Sequence, residues 1–187
     1  MAWLYVLRVS WGTVTAMATW DAATADLTPA HGMLAGPWAV GFWFDVPSTL
    51  RSKSNFRRFA AGSSAQQYRQ LQQFEETVAW CARTARPRSW ELPSTEQPLR
   101  QRPTVVFAVA ARSSVDAANF SKSVVDACEG VLFATDASVL GVAAVARRGR
   151  SHRCGLAAAQ LAPAAAPDVV AAAVGKLASQ LVEQHQP

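Results

Sequence analysis

Residues 115–139 read VDAANFSKSVVDACEGVLFATDASV, a stretch with four acidic residues, one lysine and a change from helical to extended patterning. Its polar residues recur at steps of three or four, which places them on one helical face beside an apolar stripe. We expect Glu129 and Gly130 to end this helix, residues 131–133 to run extended, and Asp136 to lie in a short polar loop. The polar residues are Asp116, Asn119, Lys122 and Asp126, and the stripe is Phe120, Val124, Ala127, Cys128 and Val131.

Two acids from separate elements, Asp116 and Asp136, are expected to converge beside Lys122. A Mg²⁺-dependent phosphoryl-transfer site needs such a group, because Mg²⁺ prefers oxygen ligands and a lysine adds a fixed positive charge beside the phosphate. Asn119 is expected to fix the local geometry by hydrogen bonds from its side chain to the backbone.

Structural roles compete with these chemical ones. Asp116 suits a helix N-cap, a role that does not exclude metal binding. Asp136 suits an Asx-turn as well as it suits a ligand position. Lys122 and Asp126 form a plain i,i+4 pair, which is the favoured interpretation of Asp126.

Composition indicates one globular domain with a basic surface. Half of the 187 residues are hydrophobic, and the formal net charge is +5. Residues 51–102 hold ten cations against four acids, whereas residues 103–140 are net negative. An acidic centre between basic segments suits an enzyme that holds a cation and a polyanion, and solvated surface charge explains the same counts.

The basic residues fall in two clusters. The first lies in a loop after the strand predicted at residues 38–46, where Phe56 and Phe59 are interleaved with the cations. Such a loop can grip phosphates and stack a base, or it can be a solvated loop pinned by its two phenylalanines. The DNA-binding residues predicted from the two clusters are Arg51, Lys53, Arg57, Arg58, Arg147 and Arg148.

Other function classes lack their motifs. The three cysteines have no metal-ligand spacing, and their scatter indicates reduced thiols in a cytoplasmic protein. The sequence has no Walker loop, no G-x-G-x-x-G and no nucleophile elbow. It also lacks the run of about 20 apolar residues that a transmembrane helix needs, so no membrane partner is expected.

The remaining patterns predict an α+β domain. Strands are expected at residues 38–46, 103–111, 139–146 and 155–161, with helices at 64–83 and 164–184 and a linker at 84–102. Residues 1–37 show no clear period beyond an alternation at 3–9, and Met17 and Met33 leave a later translation start open. We therefore divide the chain into an extension (1–37), a domain (38–163) and a C-terminal helix with its tail (164–187). The stripe predicted for the first helix is Tyr68, Leu71, Phe74, Val78 and Cys81.

The central motif resembles a known family. D-x-x-N-F-x-K-x-x-x-D-A-x-x-G-V-x-F-x-x-D-x-x-V, set between two strands, is similar to the hallmark of the RusA family of Holliday-junction resolvases. The resemblance covers roughly residues 38–162. It implies a mixed sheet of about four strands packed with two helices, and it leaves the C-terminal helix as an addition. It also implies a Mg²⁺-dependent homodimer in which each subunit cuts one strand of a four-way DNA junction.

The family's site residues carry over only in part. Its first aspartate, asparagine, lysine, helix-end aspartate and second loop acid correspond to Asp116, Asn119, Lys122, Asp126 and Asp136. Two further acids of the family correspond to Ala118 and Thr135, and its loop glutamine corresponds to Ser138.

The resemblance therefore implies Mg²⁺ bound with low affinity or no longer bound. Two hypotheses follow from it. The protein is a junction-resolving endonuclease of DNA recombination and repair, or it is a degenerate homodimer of the same fold that binds branched or duplex DNA without cutting it.

Overall fold

The structure, a computed structural model, describes residues 3–5, 30–48, 64–92, 95–112, 117–147 and 153–184. Within them, a six-stranded sheet is flanked by three helices. The strands are β1 (Trp3–Tyr5), β2 (His31–Met33), β3 (Val40–Val46), β4 (Thr104–Arg112), β5 (Val139–Arg147) and β6 (Cys154–Leu161). The helices are α1 (Ser64–Ala85), α2 (Ala117–Cys128) and α3 (Pro167–Gln184).

The sheet is mixed, with strand order β1-β5-β4-β6-β3-β2. β4 pairs in parallel with β5, and β5 with β1, while β4–β6, β6–β3 and β3–β2 are antiparallel. The α+β class is confirmed, and all four long strands predicted from the sequence are present. Two three-residue strands, β1 and β2, add to the edges of the sheet.

One side of the sheet, which we call the aromatic face, is covered by α1 and α2. Alternate residues of β3 and β4 point to this side, because successive side chains of a strand point to opposite faces. The fully buried aromatic residues of this core are Phe42, Phe44, Phe74, Phe107 and Phe133. Large side chains therefore fill the space between the sheet and its two helices.

The other side, which we call the alanine face, is covered by α3, which packs on β4, β5 and β6. The sheet contributes mostly small residues here, and the helix contributes the larger ones. A Cβ atom added at Gly141 would lie 2.5 Å from Cγ2 of Val174, so this glycine lets α3 approach the sheet closely. The sheet residues include Ala108, Ala110, Ala143, Ala157 and Ala159, and α3 adds Val170, Val174, Leu177 and Leu181.

The apolar stripe of α1 is confirmed in four of its five positions. Leu71, Phe74, Val78 and Cys81 are buried, whereas Tyr68 is 56% exposed. The prediction for Tyr68 was wrong because the buried stripe begins one turn later, at Leu71, and a phenol ring tolerates a wet environment.

None of the helices in the described ranges is long and apolar enough to span a membrane.

Candidate functional site

The candidate site is built on α2, which connects two parallel strands, β4 and β5. Lys122 is exposed on this helix, and Asp126, one turn later, is half-buried. Asn119 lies in the first turn of α2, where only the backbone is described. Asp116, one position before Ala117, lies outside the described residues, so its role stays a prediction.

The predicted DNA-binding residues fall almost wholly outside the described ranges. Arg147 is the last residue of β5, and its side chain is not described. The others, which stay predictions, are Arg51, Lys53, Arg57, Arg58 and Arg148.

The segment after α2 is a closed turn and not the extended run that the sequence predicted. The N–H groups of Val131 and Leu132 both donate to the carbonyl of Cys128, at 3.0 and 2.9 Å. Gly130 has a φ of 74° and donates to the carbonyl of Phe133 at 2.8 Å. A left-handed glycine is the usual way to end a helix, and here it folds three apolar residues under the helix end.

Asp136 opens a short 3₁₀ turn at residues 136–138, just before β5. Thr135 caps this turn, because its Oγ1 accepts a hydrogen bond from the N–H of Ala137 at 3.3 Å. The same hydroxyl donates to Oδ1 of Asp136 at 3.4 Å, and the Asp136 carboxylate is exposed. Ser138 is buried, and its hydroxyl has no hydrogen-bond partner in the described part of the chain.

The strand register places the start of α2 and the Asp136 turn at opposite ends of the paired strands β4 and β5. Val105, near the start of β4, pairs with Val139, which follows the Asp136 turn. Ala117 follows the other end of β4, and α2 then runs about 18 Å back across the sheet. A parallel connection separates its two loops, so the start of α2 and Asp136 do not meet within one chain. The shared metal site of Asp116 and Asp136 stays a prediction.

The described acids fit Mg²⁺ in chemical type but do not surround an ion. The exposed carboxylate of Asp136 offers the oxygen ligands that Mg²⁺ prefers. Among the residues described here, no three His, Cys, Asp or Glu side chains gather closely enough to hold a metal. Any complete site must therefore draw on groups beyond these.

Two residues that sequence reasoning placed in a linker contact the turn after α2. Nη1 of Arg86 donates to the carbonyl of Val131 at 2.7 Å, and Nε1 of Trp90 donates to the carbonyl of Leu132 at 2.8 Å. The available signal was the one aromatic residue of a mostly polar linker, since a large aromatic residue there indicates burial.

The three thiols do not act as nucleophiles at this site. Burial raises the pKa of Cys81 to about 11, with a further rise from the nearby Asp45 carboxylate. Burial also raises the pKa of Cys128, and burial, Asp45 and Cys81 together raise that of Cys154. All three cysteines are free and buried, so near neutral pH they stay protonated within the core.

An exposed carboxylate and a helix lysine on an α+β domain are compatible with a metal-assisted nucleic-acid enzyme, and they do not by themselves define the class of protein. The family model described as Endodeoxyribonuclease RusA matches residues 46–156, from the end of β3 into β6. The chain therefore belongs to the RusA endodeoxyribonuclease family, which comprises Holliday-junction resolvases of recombination and repair. A search of curated proteins found no match.

Proposed function

We propose that the protein is a Mg²⁺-dependent, structure-selective endodeoxyribonuclease that resolves Holliday junctions as a homodimer. The observation that carries the proposal, beside the family match, is the presentation of Asp136. Its carboxylate is exposed on a capped turn at the start of β5, the strand that pairs with β4. An accessible carboxylate on a defined turn is what a metal-assisted hydrolase needs.

In this proposal, Asp116 and Asp136 hold the metal, and Lys122 faces the scissile phosphate. The metal, when bound, activates water and stabilises the charge that develops on the phosphate oxygens. Asn119 and Asp126 support the site. The basic residues at 51–58 and 147–148 grip the DNA backbone, which gives affinity without sequence selection.

The homodimer is supported by the placement of the site elements. The start of α2 and Asp136 lie at opposite ends of the adjacent strands β4 and β5. A site that uses both therefore needs two chains. In such a dimer, Asp116 of one subunit meets Asp136 of the other. Two equivalent sites then arise, which suits symmetric cutting of two strands. The cytoplasm is the proposed compartment, because the three buried cysteines are unbridged.

One observation favours a second candidate function, junction binding without cleavage. Thr135 stands where the resemblance places an acid, and it keeps the capping hydrogen bond to Ala137 without supplying a negative charge. Threonine and aspartate both cap helical turns, so this exchange preserves the fold while it removes a metal ligand. Ala118 removes another.

Cleavage of a synthetic four-way junction in Mg²⁺ or Mn²⁺ tests the proposal. Asp136→Asn and Asp116→Asn should each lower the rate by roughly 100-fold or more, because a neutral amide binds the cation poorly. The matched control is Glu183→Gln, an exposed acid near the end of α3, which should leave the rate unchanged. Binding without cleavage at any metal concentration would favour the second candidate. No binding even at low salt would contradict both candidates, since phosphate contacts dominate there.

Mixing the two inactive variants tests the shared site. A heterodimer of Asp116→Asn and Asp136→Asn subunits contains one site with both aspartates intact and one site with neither. Mixed subunits should therefore recover nicking of one strand, whereas each variant alone stays inactive. If each site lay within one chain, mixing would recover nothing.

A further inference from the structure

The turn after α2 is held from outside by the segment that follows α1. Hydrogen bonds from Arg86 and Trp90 reach the carbonyls of Val131 and Leu132 across 45 and 42 residues of sequence. Both acceptors lie within the turn, and Asp136 follows only four residues after Leu132. These two bonds therefore act on the backbone that leads into the metal-binding candidate.

The donors are themselves fixed. Trp90 is 5% exposed, and its ring meets Phe42 edge-on with centroids 5.1 Å apart. The next residue, Glu91, is held at both backbone groups by the buried side chain of Gln160 on β6. A buried, doubly hydrogen-bonded amide is a rigid anchor, because neither of its bonds can be replaced by water without opening the core.

The hydrogen bond from Arg86 to Val131 is stronger than one between neutral groups. A guanidinium N–H that donates to a carbonyl is charge-assisted, and its distance to Val131 is 2.7 Å. Arg86 is the first residue after α1, and its backbone N–H donates to the carbonyl of Ala82 at 3.0 Å. The end of α1 and the end of α2 are thus joined through one side chain.

We propose that Arg86 and Trp90 are positioning residues of the candidate site: they fix the turn at residues 129–133 and thereby the place of Asp136. The catalytic consequence rests on the proposed nuclease function, whereas the mechanical one does not. Neither residue needs to touch DNA or metal for this role. The turn is tied on one side to α2 and on the other side to a segment anchored on the sheet.

The test uses substitutions that remove the donors and keep the packing. Trp90→Phe keeps an aromatic ring against Phe42 and deletes the indole N–H. Arg86→Met keeps the apolar stem and deletes the guanidinium, while Arg86→Lys keeps a charged donor. The matched controls are Trp80→Phe and Arg83→Met, two exposed residues of α1.

Amide hydrogen exchange of the full chain measures the mechanical effect. In Trp90→Phe and Arg86→Met, peptides covering residues 129–138 should exchange roughly tenfold faster, while β6 peptides and both controls stay unchanged. Unchanged exchange at 129–138, or an equal rise throughout the chain, would overturn the proposal.

Junction cleavage measures the catalytic effect. In both variants kcat should fall roughly tenfold with KM within about twofold, and Arg86→Lys should recover most of the loss. Loss of DNA binding in place of kcat would assign these residues to the DNA interface and overturn the positioning role. A wild-type chain that never cuts would contradict the proposed function, and the exchange result would still decide the role of Arg86 and Trp90 in holding the turn.

Discussion

The two faces of the sheet are built on opposite principles. The aromatic face fills the space beneath α1 and α2 with large rings, and the alanine face leaves almost no space beneath α3. On β4 the contrast occurs between neighbours, since Phe107 belongs to the first core and Ala108 to the second. β4 therefore places larger side chains on one face and smaller side chains on the other, at alternate positions.

The difference predicts which kind of substitution destabilises each face. A core of large side chains loses stability when a residue is made smaller, because the surrounding structure collapses only partly around the cavity. A core of small side chains under a close helix loses stability when a residue is made larger. The candidate site lies with the aromatic face, within residues matched to the family, while α3 lies beyond that match.

The largest effect is expected from Phe107→Ala on the aromatic face. Phe107 is fully buried and meets Phe133 edge-on with centroids 5.8 Å apart. Removing the ring should lower the free energy of unfolding by about 3–5 kcal/mol, measured by urea denaturation. The neighbouring Val106→Ala, on the alanine face, deletes far less volume and should cost about 2 kcal/mol. Equal losses at the two positions would mean that the deleted volume does not set the cost of truncation in these cores.

A smaller loss of stability is expected when a side chain is made larger, at Gly141 on the alanine face. Gly141→Ala places a methyl group 2.5 Å from Cγ2 of Val174 and should cost about 1–3 kcal/mol of unfolding free energy. Its backbone lies outside the left-handed region, so the cost is steric.

Val174→Ala on α3 should relieve that clash. In a double-mutant cycle with Gly141→Ala, we expect a favourable coupling of about 1 kcal/mol or more by thermal or urea unfolding. Additive losses would show that α3 shifts away from the sheet as a body and does not clash locally.

Most of the regular structure on both faces could be predicted from the sequence. The strand expected at residues 155–161 is observed at Cys154–Leu161, and the helix expected at 64–83 is observed at Ser64–Ala85. Local periodicity carries this information, because burial on one face imposes a repeat of two or 3.6 residues. The C-terminal helix was predictable for the same reason.

The site was less predictable because its geometry depends on distant pairings. Three apolar residues after Gly130 suit a strand as well as a turn, and the turn also accepts hydrogen bonds from donors more than 40 residues away in sequence. Likewise, the separation of Asp136 from the start of α2 follows from the parallel pairing of β4 with β5. No local pattern shows which strands become neighbours.

The smallest effect concerns pH and again separates the two faces. All three cysteines lie in the aromatic core, and the alanine core has none. Burial raises the pKa of Cys81 from 9.0 to about 11, so the folded chain holds this proton more tightly than the unfolded chain. The stability that Cys81 contributes is complete below pH 9 and is lost as the pH rises toward 11. At pH 10 we therefore expect a loss of about 1 kcal/mol relative to pH 8.

Comparing Cys81→Ala with the wild type isolates that loss. The substitution lowers stability at every pH by creating a cavity, but it should flatten the decline between pH 8 and pH 10 by about 1 kcal/mol, measured by urea unfolding at each pH. Val174→Ala, which weakens the alanine face without removing a thiol, should leave the decline unchanged. If both variants declined as the wild type does, the alkaline sensitivity would belong to groups shared by the two faces. If only Val174→Ala reduced the decline in stability between pH 8 and pH 10, the titrating group would lie beneath α3. The alanine core has no thiol, so that result would contradict the role of Cys81.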